Sequence, residues 1–566
     1  MSATETRRQA DWLAGSRVAL VLLCLLCLFA LFDNLGGAAL FDPDEGRNAE
    51  IAREILITGD WVTPYYDFLP RLEKPIFFYA LTALAYKGFG VSEASARLPA
   101  AVFALATLLL TYFFARRRGE WAALWSGLVL LTGIEVVVFS RIVILDMTLA
   151  FFITLTLVAF YSASAESARQ KRRYYFLMYA AAACAALVKG PVGFVLPGII
   201  IAIYIAAGRK WSILAEMELG WGILIFILIS APWYALEETR HPGYLAYFLG
   251  QEHFGRYLTP YFQRGKPWYF FLGVLAAGFF PWTFLLPSVA KRLWKNPLDD
   301  LSVYLILWAI VPFVFFSFSR SKMAEYLLPI FPALSILTGK SITDVLKTAS
   351  SWEIWLLSLL WSALNLSLMY LFLGWLRPGI LPADIRGTVP QLPVTAIAAL
   401  ALLSFVVLPW TARATFTKNN DRLFLLACLV FFLFFCFAHR FVEPFSLTRS
   451  YKELAARSAP HIRPEDQLVI YDNVYLPSLP FYLRINKPIW IVAPEDAKDI
   501  MGSFYAAEKK LPAAPGYGKV VFTFDEFGQQ WSRRKLLVFI REKRVAELPG
   551  AKLLLRAGAF ALVTNR

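Results

Sequence analysis

Long apolar runs recur through this chain, and no other feature constrains its fold as strongly. They fall near residues 18–40, 95–115, 119–139, 144–164, 174–188, 191–207, 219–236, 267–287, 301–318, 325–341, 352–373, 391–411 and 423–438, which predicts thirteen membrane-spanning helices. The run at 174–188 is short and needs a tilted or thinned passage. Of the 566 residues, 58% are hydrophobic and 17% charged, and mean hydropathy is +0.54. Soluble domains carry about 25% charged residues and do not repeat such runs. A soluble enzyme, a disordered scaffold and a secreted disulfide framework are therefore excluded. Val18 to Phe32 has the length of a signal-peptide core, but no clean small-residue cleavage site follows, so it reads as the first span.

The net charge of +15 accompanies no zinc-finger, RRM or helix-turn-helix pattern. It predicts membrane lipids as partners and no nucleic acid. Cys24, Cys27, Cys184, Cys428 and Cys436 all lie inside apolar runs, which leaves neither a disulfide framework nor a zinc cluster. The segment 75–91 decides the topology. It is apolar and aromatic but carries Lys87, Gly88 and Gly90. Read as an interfacial helix, it places Arg116-Arg117-Arg118, Arg169, Lys171-Arg172-Arg173, Arg209-Lys210 and Lys291-Arg292 in inner loops. Lys and Arg are then about twice as dense inside as outside, as the positive-inside rule requires. The N-terminus is expected in the cytoplasm and the C-terminus outside.

Beyond Phe437 the pattern changes. Leu468–Tyr471, Ile489–Val492, Val520–Phe522 and Leu536–Phe539 read as strands between Pro, Gly and charged residues. Residues 1–439 are thus expected to form the transmembrane domain, with 41–94 as a long outer loop. Residues 440–566 are expected to form a soluble α/β domain on the outer face, serving chiefly as a cap.

With this topology the unusual polar residues gather on one side. Asp42-Pro43-Asp44-Glu45-Gly46-Arg47 follows the first span, and Glu73 with Lys74 precedes the interfacial helix. Asp146, Lys189, His253, Arg256, Lys322 and Tyr326 lie at other outer ends or loops. Ionisable groups at such depth are costly and default to functional candidates. Arg47, Lys74, Lys189, Arg256 and Lys322 suit phosphate oxygens. Asp44, Glu45 and Asp146 suit a reaction that develops positive charge on a sugar ring, or one that orients or deprotonates an acceptor. A lipid-phosphate-linked sugar fits both needs. Each residue also has a structural reading. Asp42, Asp44 and Asp146 can cap helices, Lys74 can snorkel to headgroups, Lys189 can sit as a helix-end cation, and His253 can be a satisfied hydrogen-bonder.

The ordered series Asp42-Pro43-Asp44-Glu45-Gly46-Arg47, Gly59-Asp60-Trp61, Glu73-Lys74-Pro75, Ala96-Arg97-Leu98-Pro99, Leu187-Val188-Lys189-Gly190-Pro191, Gln251-Glu252-His253-Phe254 and Ser321-Lys322 through Pro329 resembles the aminoarabinose transferase (ArnT-like) family. These are GT-C glycosyltransferases related to protein O-mannosyltransferases. The resemblance covers at least the first 335 residues. It implies a fold of 13 transmembrane helices with a periplasmic α/β domain. It also implies inverting transfer of a sugar, 4-amino-4-deoxy-L-arabinose in the best-known members, from undecaprenyl phosphate to a lipid A phosphate at the periplasmic face of the bacterial inner membrane. By the same resemblance Asp44 takes the essential acidic role, with Glu45 beside it and Asp146 second. Arg47, Lys74, Lys189 and Arg256 grip phosphates, with Glu73, Lys322 and Tyr326 at the substrate site, and His253 matches a position that holds a structural zinc with a glutamate. Two departures bear on the sugar and acceptor: Asn48 stands where the family usually has Tyr, and Arg71 is an extra cation. A sister transferase with another sugar, or with a protein or glycan acceptor, remains an alternative. A transporter fits less well, because its charges belong at the midplane of matched halves.

Overall fold

The computed structural model describes residues 3–165, 168–259, 265–348, 377 and 420–565. The expected spans at 352–373 and 391–411 lie outside the described residues. Each remaining apolar run coincides with a helix or a broken helix pair. In chain order these begin with α1 (Ala3–Phe32), α2 (Asp44–Thr58), α3 (Phe77–Phe89), α4 (Glu93–Ala115), α5 (Glu120–Thr132), α6 (Ile134–Phe139), α7 (Asp146–Ala165), α8 (Ala168–Lys189) and α9 (Val192–Ala207). Helices Leu219–Arg240, Asp300–Phe318, Phe331–Thr348 and Asn420–Leu447 follow.

Among the described residues four helices are long and apolar enough to cross a membrane: Glu93–Arg118, Asp146–Ala165, Leu219–Arg240 and Asp300–Phe318. Several other runs are broken. The run at 119–139 divides into α5 and α6 at Gly133, whose extended backbone (ψ 129°) interrupts the helix. The run at 267–287 folds as Phe270–Gly278 and Trp282–Lys295, bent by 103°. Leu219–Arg240 exposes Trp221, Ile223, Leu224, Ile227 and Leu228, a lipid-facing surface.

The segment expected to lie along the interface is α3. It buries Phe78, Tyr79, Ala83 and Tyr86 and exposes Leu84 and Phe89. Helix α2 starts with Asp44 and Glu45, which favour a helix N-terminus, and ends at Gly59 in the left-handed conformation (φ +69°). Ser92 and Ser95 close a capping box on α4.

Residues 452–565 build a six-stranded sheet. The strands are β3 (Gln467–Ile470), β4 (Trp490–Val492), β5 (Val521–Phe522), β6 (Leu536–Arg541), β7 (Lys552–Ala557) and β8 (Phe560–Thr564). A two-stranded ribbon, β1 (Tyr65–Tyr66) and β2 (Leu69–Pro70), precedes them in the outer loop. Strands β5, β4, β3 and β6 run parallel, and β8 and β7 close the other edge antiparallel. Alternation along β3 splits its burial. Val469 packs with Phe527 and Trp531 on one side, whereas Leu468 and Ile470 join the core that continues into the transmembrane helices.

That continuity is reinforced by polar ties. Arg53 on α2, paired with Glu50, donates to Asn486 Oδ1 over 3.0 Å. Glu54 accepts the N–H groups of Asp67 and Phe68, while Asp67 Oδ1 accepts from Ile489 N over 2.9 Å. Gly46 lies so close to the sheet domain that a Cβ there would come within 2.6 Å of the Ser478 backbone nitrogen.

Candidate active site

Helices α2, α7, α8, the segment 247–256 and the turn before Phe331 converge on two adjoining cavities. One is a polar chamber of about 340 Å³, walled by Asp44, Arg47, Asn48, Glu73, Tyr79, Met323 and others. The second is an apolar groove of about 410 Å³, lined by Leu149, Ile153, Val192, Val195, Leu196, Phe254, Leu258, Phe315 and Phe316. Lys74, Asp146, Lys189, Glu252, Arg256, Glu325 and Tyr326 line both, so the charged residues form the junction between a wet space and an apolar one.

Local structure sets each junction residue. Asp146 opens α7, and Lys189 closes α8 and pairs with it. Lys189 also sits 4.9 Å from the centroid of the Tyr326 ring. After Lys189 the chain turns at Gly190 (φ +80°), where a Cβ would lie 2.7 Å from His253 Nε2, so only glycine fits. Glu252 and His253 lie on a π-helical stretch, Tyr247–Gly255, a local geometry common at functional sites. Glu252 is fully buried, and its Oε1 accepts from Lys74 Nζ over 2.5 Å and Arg256 Nη1 over 2.8 Å. Burial works against its charge, but Lys74 and Arg256 outweigh it and hold the carboxyl below its ordinary value. Burial likewise pulls the Lys74 ammonium down to about 8, against the attraction of Glu252.

Arg47 pairs with Asp44 over 2.5 Å and donates to Tyr475 Oη over 3.3 Å. Tyr475, Asp499, Gly502 and Phe504 come from the sheet domain and complete the chamber, so the domain does more than cap the helices. Nothing near Asp44 in the sequence points to these four, because their approach depends on how two distant chain segments dock.

The structure thus brings together Asp44, Arg47, Glu73, Lys74, Asp146, Lys189, Arg256 and Tyr326. Three other predicted site residues are engaged by protein groups. Glu45 does not face the chamber. Its carboxylate is buried and engaged by Arg97 through Nε (2.9 Å) and Nη2 (2.8 Å), and it also accepts from Phe41 N and Val143 N. It is a structural anchor for the loop between α1 and α2, and Arg97 is the buried partner that the sequence reading passed over. Lys322 turns its ammonium to the Ser319 carbonyl over 2.5 Å and lines neither cavity. His253 faces backbone oxygens with both ring nitrogens, Phe248 O at 2.6 Å and Lys189 O at 3.0 Å. Among the described residues no group of three His, Cys, Asp or Glu side chains is placed to hold a metal. Burial pushes the His253 imidazole down to about 4.

Glu73 reaches the chamber wall, but its carboxylate is held by Arg71 at 3.0 Å and by Ser503 Oγ at 2.5 Å. The departures from the family pattern also find places. Arg71 spends its guanidinium on Glu73 and on the carbonyls of Met501 and Gly502, which docks the sheet domain. Asn48 donates to Val143 O and receives the Tyr79 hydroxyl. Glu252 and Glu325 were visible in the sequence motifs, but nothing in their spacing marked them as junction residues.

Comparison with known proteins accords with this geometry. Residues 16–248 match the family described as dolichyl-phosphate-mannose-protein mannosyltransferase. The undecaprenyl phosphate-alpha-4-amino-4-deoxy-L-arabinose arabinosyl transferase of Pseudomonas paraeruginosa is 32% identical over 328 residues, 56% of this chain and 58% of that protein. The protein of the same description from Shewanella sediminis is 32% identical over 322 residues, covering 55% and 58%. The match thus spans less than two thirds of the length of these curated relatives. The crystal structure of ArnT from Cupriavidus metallidurans bound to undecaprenyl phosphate superposes with a TM-score of 0.79 at 27% identity, covering 97% of this chain and 98% of that one. The fold matches that of a GT-C membrane glycosyltransferase, and its apolar helices suit a multi-pass membrane protein. The chain is similar to ArnT in sequence and fold, and the resemblance read from its motifs is borne out.

Proposed function

We propose that the chain is an inverting glycosyltransferase that moves 4-amino-4-deoxy-L-arabinose from undecaprenyl phosphate to a lipid A phosphate at the periplasmic face of the inner membrane. The observation that carries this reading is the junction of the two cavities. An isoprenoid phosphate sugar has an apolar tail, a phosphate and a polar ring in that order. The apolar groove, the cations Lys74, Lys189 and Arg256, and the polar chamber follow the same order. The names and the ligand of the similar proteins support it. The sided distribution of Lys and Arg supports the orientation, with the chamber and the sheet domain outside and thirteen spans in all.

The chemistry follows from this placement. An oxygen of the acceptor phosphate attacks the anomeric carbon from the face opposite the lipid phosphate. The bond from that carbon to the lipid phosphate oxygen breaks, and its electron pair leaves on the phosphate. Lys74, Lys189 and Arg256 neutralise the charge that develops there. Asp44 lies on the chamber side, held by Arg47, and orients the acceptor. An acceptor phosphate is already anionic at neutral pH, so Asp44 need not remove a proton. Asp146, tied to Lys189, fixes the cation beside the leaving group.

Mass spectrometry of lipid A from cells with and without the chain tests the reading. A gain of one aminopentose per modified phosphate is expected. Unchanged lipid A beside a shifted glycan or glycoprotein would replace it with a sister activity.

A further inference from the structure

Six carboxylates reach the chamber, and five are committed to protein partners. Asp44 pairs with Arg47, Asp146 with Lys189, Glu73 with Arg71 and Ser503, and Glu252 with Lys74 and Arg256. Asp499 Oδ2 accepts from Gly502 N over 3.0 Å. Among the described residues Glu325 is the chamber carboxylate with neither a hydrogen bond nor an ion pair to another residue, its contact being with its own backbone N–H, although it lines both cavities. Its position is fixed from behind. Tyr326, the next residue, stacks on Lys189 and against Phe316 at 5.1 Å, and Trp308 Nε1 donates to Pro329 O over 2.8 Å.

We propose that Glu325 selects the donor by the amino group of its sugar. This rests on the proposed function and adds the residue that reads the sugar. The sugar is bonded directly to the phosphate, so a group at the phosphate junction lies within one ring of it. A protonated amine offers a positive charge and three N–H donors, which suit a carboxylate that no other side chain pairs. A neutral sugar leaves that half-buried carboxylate without a side-chain or ligand partner, and a site built for a polar partner rejects the analogue that lacks it. The cations of the junction are already directed at the phosphate and cannot serve an amine.

The test uses the full chain in liposomes with lipid A as acceptor. Two donors are compared: undecaprenyl-phosphate-linked 4-amino-4-deoxy-L-arabinose and its N-formyl derivative, which has the same ring but no charge. The readout is the ratio of kcat/KM between them. Wild type is expected to prefer the amine, and Glu325→Gln to shrink that ratio by about 10- to 100-fold, the worth of one charge-assisted hydrogen bond. Glu325→Asp keeps the charge and is expected to hold an intermediate ratio, which keeps the test valid if the Gln variant folds poorly. An unchanged ratio in the folded variants, whatever happens to the overall rate, overturns the role of Glu325 and leaves the transferase reading intact. A wild type that uses neither aminoarabinose donor but accepts one carrying a neutral hexose overturns the functional reading, and this inference with it.

Discussion

Lys74 and Glu252, 178 residues apart in sequence, meet over 2.5 Å at the point where the apolar groove opens into the polar chamber. Arg256 reaches the same carboxylate oxygen over 2.8 Å. One buried anion therefore holds two cations in place where the two cavities meet.

Glu252→Gln should leave Lys74 and Arg256 as buried charges without their counter-ion. Breaking a buried ion pair from one side costs about 3–5 kcal/mol. The variant is expected to melt well below wild type in detergent, and undecaprenyl phosphate should restore more stability to it than to wild type. Equal melting temperatures, or equal ligand shifts, would argue that Glu252 does not hold these cations.

Lys74 also sets a pH limit. Burial lowers its ammonium to about 8, so the uncharged form gains ground as pH rises through that value. Donor phosphate needs the charged form. KM for the donor should rise by about tenfold per pH unit above 8, with little change below pH 7. Lys74→Arg should remove this alkaline limb while keeping a cation, because guanidinium stays protonated. A flat KM between pH 7 and 10 would mean that Lys74 does not bind the phosphate.

Asp44 and Glu45 are neighbours in opposite surroundings, one at the chamber and one buried on Arg97. Asp44→Asn should abolish transfer and leave folding intact. Glu45→Gln should weaken the Arg97 anchor, destabilise the protein by about 3 kcal/mol or more, and reduce the yield of folded material before it touches the chemistry. Comparing folded yield and specific activity of the two variants separates these outcomes.

That pair also shows how far the sequence was legible. Asp44, Arg47, Lys74, Asp146, Lys189, Arg256 and Tyr326 could be named beforehand, because each is a charged or polar residue set beside an apolar run on one side of the membrane. Glu45 could not be told from Asp44 in this way. The direction a side chain takes from the first turn of α2 depends on Arg97, which arrives from α4. Lys322 looked like another phosphate ligand, and only the fold shows its ammonium turned to Ser319 O. The apolar runs located the helices, but the breaks at Gly133 and between Gly278 and Trp282 left the runs unchanged in hydropathy. The strand pattern after residue 467 marked four strands and missed β7 and β8. Tyr475 and Phe504 carry no signal at all, since a docked surface leaves no periodicity behind.

Docking of the sheet domain can be probed through Arg71. Arg71→Ala removes its bonds to the carbonyls of Met501 and Gly502 and its ion pair with Glu73. Amide exchange in residues 499–506 should speed up, and transfer should fall because Tyr475 and Phe504 are no longer held at the chamber. Unchanged exchange in that segment would show that the domain is held by its other contacts alone.

The most direct test is transfer by the purified chain in liposomes. Wild type, Asp44→Asn and Lys74→Ala would be supplied with undecaprenyl-phosphate-linked aminoarabinose and lipid A, and the lipid products weighed by mass spectrometry. Aminopentose-modified lipid A and free undecaprenyl phosphate are expected from wild type, and neither from the two folded variants. Modified lipid A at wild-type levels from both variants would contradict the proposed site.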